Sequence, residues 1–407
     1  MSRRPIAAAA QAISLVMTRF PSVFVRVRRP LLLAILVGAS CFALLPVVTP
    51  AHTLHAQAAP PLPAPEWRPD HGATVAAHFV GSAICAQCHA KEAATFQHAS
   101  MSRAAEAVAD AEILREHPTL EFQLGPFHYT LQRVGDRATY TVARGTERLT
   151  VPVVWAFGLG TAGQTYVLQY HNAFYESRVS YYTATKAMDL TMGYPPTVPT
   201  SIEEALGRRL PPDEARACIG CHTTGALRQD RLDVSHLIPG VGCEDCHSPG
   251  ATHVQEVKKG IVQPGFIFNP GNLDAGRSVD FCGSCHRTAL MVIDMHVNGS
   301  VNVRFQPYRL ENSKCWDPTD QRIACIACHD PHEELVRQTS AYDVKCLACH
   351  VNAAQAKPTS THPGPACPVA RQNCASCHMP KVDLPGAHHA FTDHDIRIAR
   401  AGAPYPN

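Results

Sequence analysis

The sequence predicts a mainly α and irregular fold with a small antiparallel β-sheet near its start, organised around bound groups more than around side chains. Three observations predict it. A short cysteine–histidine motif recurs seven times. The stretch from Phe122 to Tyr182 alternates apolar and polar residues as strands do. Beyond about Ser201 the chain breaks into short helical pieces and loops punctuated by Gly and Pro, with few long periodic runs.

At the start, Arg26, Arg28 and Arg29 precede the apolar run "LLLAILVGASCFALLPVV" from Leu31 to Val48. A basic flank before such a run marks an export signal or a membrane anchor. The run is just long enough to span a bilayer, whereas "HAQA", ending at Ala58, offers a small-residue cleavage site. A cleaved signal is therefore favoured over a retained anchor at residues 31–48. Cys41 does not mark a lipoprotein, because Gly38 stands where that signal needs a branched aliphatic residue. Either way the remaining chain is expected outside the cytoplasmic membrane, in the periplasm or beyond it. Residues 1–58 form this leader, and 59–77, containing "AAPPLPAPEWRP", form an extended Pro-rich linker. Residues 78–200 hold the first motif and the sheet, and residues 201–407 hold the other six motifs. The net charge of +2 gives no electrostatic case for nucleic acid.

The motif is C-x-x-C-H. It occurs at Cys85-Cys88-His89, Cys218-Cys221-His222, Cys243-Cys246-His247, Cys282-Cys285-His286, Cys325-Cys328-His329, Cys346-Cys349-His350 and Cys374-Cys377-His378. These copies use fourteen of the 17 cysteines. Chance would give roughly 0.04 copies of this haem-attachment pattern. Two thiols add to the two vinyl groups on one haem edge, and the next residue lies under the ring, where its imidazole ligates iron. Zinc is held by paired cysteines but needs no histidine after every second one. A redox dithiol needs one copy only. The reading is seven covalently attached haems c, with His89, His222, His247, His286, His329, His350 and His378 as proximal ligands.

The motifs after Cys218 begin 25, 39, 43, 21 and 28 residues apart. So little protein cannot insulate the cofactors from one another. The expected architecture is thus a multihaem cytochrome fold organised around stacked haems, with the sheet beside the first of them.

A low-spin iron needs a sixth ligand. His332 follows proximal His329 by three residues, too few to pass around a haem, so if it ligates it serves a neighbouring one. His253, six residues past His247, invites the same reading. The alternative for both is a surface or propionate-binding role. In "HHAFTDHDIRI", His388, His389 and His394 follow the last motif and offer distal ligands, notably His388 and His394. Among the lone histidines His128, His171, His236, His296 and His362, the favoured candidates are His236 and His296, which lie among the motifs. Cys315 and Cys367 stand outside every motif and suggest a disulfide in an oxidising compartment. Two buried free thiols are the alternative.

Several segments are similar to known ones. "FVGSAICAQCHAKEAATFQHASMSRA" resembles the first haem segment of the cytochrome c-554 type. "GVGCEDCHSPGATHV", "CIACHDPH" and "CASCHMPK" resemble segments shared by those cytochromes with the pentahaem nitrite reductase and hydroxylamine oxidoreductase superfamily. "RFQPYRLENSKCW" and "FTDH" resemble multihaem cytochromes of soil bacteria. The resemblance covers about residues 78 to 400. It implies an exported, mostly bis-histidine electron-transfer protein and supports His332 and His253 as distal ligands. One departure stands out. The family places a distal histidine twelve residues past the first proximal one, and here that residue is Met101. Either Met101 ligates, raising that haem's potential, or His98 replaces it, or that iron stays open.

No C-x-x-C-K motif, the mark of the superfamily's reductases, is present, and no catalytic residue is singled out. Electron transfer is the expected function, with redox proteins as donor and acceptor. A membrane quinol-linked complex or another multihaem cytochrome could fill those places. The alternatives are an oxidoreductase acting on a small nitrogen or sulfur compound at one open haem, and a subunit that docks haems to a membrane or outer-surface complex.

Overall fold

The alternating stretch becomes an antiparallel sheet of ten strands in the computed structural model. Residues 67–74, 77–158, 160–263, 265–350 and 367–400 are described. The apolar run 31–48 and most of the linker lie outside them. The strands are β1 (Ala105–Ala107), β2 (Thr119–Leu124), β3 (Phe127–Val134), β4 (Arg137–Arg144), β5 (Glu147–Phe157), β6 (Gly163–Tyr170), β7 (Ala173–Ser177), β8 (Val179–Tyr182), β9 (Ala187–Leu190) and β10 (Gly207–Arg209). They run in the order β10-β7-β6-β5-β4-β3-β2, with β1 on β5, β8 on β6 and β9 on β8.

Tight turns set the meander. Gly135 and Gly145 open the β3–β4 and β4–β5 turns at φ +58°, where a side chain would be strained. His171 and Asn172 make the β6–β7 turn, both at positive φ, so His171 is a turn residue. Period-two alternation then buries Phe127, Tyr129 and Leu131 of β3 against Tyr140 and Val142 of β4 and Val151 and Val153 of β5.

This corrects one expectation: the sheet is not small. The helices are short pieces, and among the described residues the longest runs 12 residues, Ala275–His286. Strands of three residues, such as β1 and β10, are too short to show a period. Pairing with β5 and β7 recruits them. The end of the expected linker is also packed down: Trp67 Nε1 donates to the Asp245 carbonyl at 2.6 Å, and Arg216 reaches the Asp70 carbonyl at 2.9 Å. Among the described residues no helix is long and apolar enough to cross a membrane.

A bulge links the sheet to the motifs. The β5–β6 register shifts between Val153 and Trp155, which turns Val154 and Trp155 to the same side. There they meet Ala215 and Ile219 of helix Pro212–His222, which carries the second motif. Pro212 at the first helical position presets its φ.

Candidate haem-attachment sites

Each of the seven motifs lies on or beside a short helix: Ser82–Cys85, Pro212–His222, Cys243–His247, Ala275–His286, Cys325–Cys328, Asp343–Leu347 and Cys374–His378. One helical turn places the two cysteines at i and i+3 and the histidine at i+4 on one face. That arrangement is what attachment to one haem edge requires.

The motifs touch one another. Thiols of different motifs lie near enough to shift one another's ionisation in the pairs Cys85–Cys243, Cys221–Cys285, Cys282–Cys325 and Cys346–Cys374. Burial pushes Cys85 up to about 11 and Cys246 and Cys346 up to about 12, so these thiols stay protonated. The first motif therefore abuts the third, the second the fourth, the fourth the fifth, and the sixth the seventh.

Carboxylates brace these contacts. Glu244, 2% exposed, accepts N–H bonds from Val80, Gly81 and Gly250 at 2.7–3.1 Å. It thus ties the entry to the first motif to the helix Ala251–Lys258, which carries His253. Asp245 accepts from the Thr224 hydroxyl at 2.6 Å, and burial raises its pKa to about 7. Asp343, at the start of the sixth motif's helix, accepts from the Asn373 and Cys374 N–H groups at 2.7 and 2.8 Å, and those bonds hold its pKa low. No sequence pattern announced these acids, because a buried carboxylate is recognised only by the backbone that surrounds it.

Three of the motif imidazoles each lie close to a second imidazole. The ring centres of His89 and His253 lie 6.5 Å apart, those of His247 and His332 5.9 Å, and those of His329 and His394 6.3 Å. Two imidazoles on opposite sides of one metal have centres roughly 6 Å apart, from two metal–nitrogen bonds of about 2 Å plus the ring radii. The other ring nitrogen is often anchored as well. Nδ1 donates to the carbonyl of Ala104 from His222 (2.9 Å), of Phe268 from His247 (3.1 Å), of Arg397 from His378 (2.7 Å) and of Thr392 from His394 (3.0 Å). His332 Nδ1 lies 3.2 Å from the Asp330 carboxylate. A donating Nδ1 fixes the tautomer and leaves Nε2 free to bind metal. Phe157 of β5 stacks on His222 at 4.8 Å, and Ala104, the residue before β1, supplies the carbonyl beside it, so the sheet positions the second motif. Burial lowers the pKa of His222, His247, His286 and His329, and that of His394 to about 4, which keeps these rings in the neutral form that ligates.

Other candidates are placed differently. The ring facing His89 belongs to His253, where the sequence offered Met101 or His98. His98 is exposed, and its Nε2 contacts the Gln97 amide at 3.2 Å. Met101 meets the third motif's approach through its backbone, its carbonyl accepting from Val241 at 3.1 Å. His388 spends Nε2 on Asp189 at 2.8 Å and packs on Tyr182. His236 is exposed beside Asp233, and exposed His296 occupies a left-handed backbone position. Cys315 and Cys367 are both free thiols. Cys315 is half-buried towards Cys349 and Cys328, whereas Cys367 is at the surface, its sulfur accepting from the Ala370 N–H. His362 lies outside the described residues. Tetrahedral zinc calls for three or four converging donors; among the described residues no three His, Cys, Asp or Glu groups converge in that way. Paired thiols, an adjoining imidazole and a second imidazole at metal-spanning distance fit haem c.

Residues 182–248, which include the second and third motifs, match the family model for cytochrome c554 and c-prime. A solved structure, that of the outer cell wall cytochrome OcwA, aligns at 14% identity over 79% of this chain and 80% of that one, with a TM-score of 0.45. No curated protein matches the chain. With the matched segment and its repeated attachment motifs, the chain is similar to the multihaem c-type cytochromes.

Proposed function

We propose that the chain is an exported heptahaem c-type cytochrome that carries electrons along closely packed, mostly bis-histidine haems between redox-protein partners. The observation that carries this reading is the set of facing imidazole pairs at 5.9–6.5 Å. Bound haem c supplies reversible one-electron iron chemistry. The chain's own residues hold and orient it. The fourteen motif cysteines would attach it, and the seven following histidines would supply one ligand each. His253, His332 and His394, whose rings lie near those of His89, His247 and His329, would supply second ligands. Nδ1 anchors to backbone carbonyls fix ring orientation, and burial excludes water, which favours low potentials at His/His sites. Abutting motifs bring the attachment sites together without intervening insulation. Residues 31–48 direct the chain across the cytoplasmic membrane.

A second reading is an oxidoreductase acting on a small nitrogen or sulfur compound at one open haem. The motif histidines His222, His286 and His378, for which no facing imidazole is found among the described residues, are the positions that favour it. One experiment on the purified holoprotein tests both. Intact mass counts the haems, and electron paramagnetic resonance (EPR) of the oxidised protein counts spin states. Seven haems, all low-spin, support the carrier. A high-spin haem supports the second reading, and fewer than seven haems contradict the attachment reading.

A further inference from the structure

Arg309, in helix Gln306–Glu311, is 1% exposed, and its guanidinium is enclosed by two carboxylates of the C-terminal segment. Nε and Nη2 form a fork on Asp393 at 2.9 and 3.0 Å, and Nη2 also reaches Asp395 at 3.2 Å. Asp393 is 0% and Asp395 8% exposed. Arg397 Nη1 adds a second cation to Asp393 at 3.1 Å. Enclosing four charges is costly, and apolar residues of similar volume often stabilise a core as well. What a forked Arg–carboxylate pair adds is fixed geometry.

The residue between the two aspartates is His394. The segment follows the short strand Ala390–Thr392. Arg309 holds Asp393 and Asp395, the residues on either side of His394, and the Asp395 N–H also bonds the Asp393 carboxylate at 3.0 Å, so the backbone that carries His394 is fixed on both sides. The His394 ring lies 6.3 Å from that of His329. Ser313, just past the helix, locks the backbone at the same place: its hydroxyl donates to the His394 carbonyl at 3.0 Å and accepts from the Ile396 N–H at 2.8 Å.

We infer that Arg309 is a positioning residue for the iron held by His329: its grip on Asp393 and Asp395 sets His394 as the second axial ligand. The inference rests on the proposed ligation by His394, so the test separates the two. Spin states are counted by EPR in haem-loaded wild type, His394→Ala and Arg309→Lys, with haem content measured alongside. Lysine keeps the charge but loses the fork. His394→Ala is expected to convert one haem per chain to high-spin. Arg309→Lys is expected to retain every haem yet give a mixed high- and low-spin population at that same haem, which added imidazole returns to low-spin. If His394→Ala changes the spin count and Arg309→Lys does not, the positioning role is overturned and the ligation stands. If His394→Ala changes nothing, the ligation itself fails, and the positioning role with it. Should Arg309→Lys not accumulate, Asp395→Asn, which spares the Arg309–Asp393 fork, decides by the same count.

Discussion

The imidazole of His332 lies nearly parallel to that of His247, ring centres 5.9 Å apart and planes 9° apart, although His332 is only three residues from His329. The "CHDPH" segment thus presents one histidine within its own motif and another to a neighbour, and ties the third and fifth motifs through one turn of chain. His332→Ala is expected to leave the haem content unchanged and to convert one haem to high-spin, read by EPR. An unchanged spin count would mean that His332 is only a surface partner of Asp330.

Glu244 carries the contact between the first and third motifs. Replacing it with Gln puts an amide N–H₂ where the Val80, Gly81 and Gly250 N–H groups need an acceptor. A buried donor left without a partner costs about 1–3 kcal/mol. Thermal unfolding of Glu244→Gln should show a loss of that size, and no loss would mean that solvent replaces the carboxylate freely.

Ile219 is fully buried where the second motif's helix meets Trp155 and Val167. Ile219→Ala should cost about 2–5 kcal/mol in chemical denaturation. A change below that range would mean that the helix rests on its cofactor more than on the sheet.

Free thiols offer a chemical test. Cys367 is exposed, and the Ala370 and Val369 N–H groups hold its pKa below the usual thiol value. A maleimide should label it rapidly in the native holoprotein, and Cys315 only slowly or after unfolding. A mass two hydrogens short, with neither site labelled, would restore the disulfide.

Local chemistry was legible in the sequence, and non-local pairing was not. Each C-x-x-C-H motif is written in five consecutive residues. The β3–β5 meander was legible because its alternation is long and its turns carry glycine. Strands β1 and β10 were not, since three residues carry no period. His253, His332 and His394 could be singled out by position, but their counterparts His89, His247 and His329 depend on how distant segments meet. His388 had equal standing in the sequence, and only the fold reveals Asp189 bonded to it. Arg309 gave no signal at all, because its partners lie more than eighty positions away.

An experimental structure of the haem-loaded protein, read at three irons, tests the proposed ligation most directly. Nε2 atoms of His89 and His253 are expected to share one iron, those of His247 and His332 a second, and those of His329 and His394 a third. Met101 or His98 bound opposite His89, or His332 bound to no iron, would contradict that ligation.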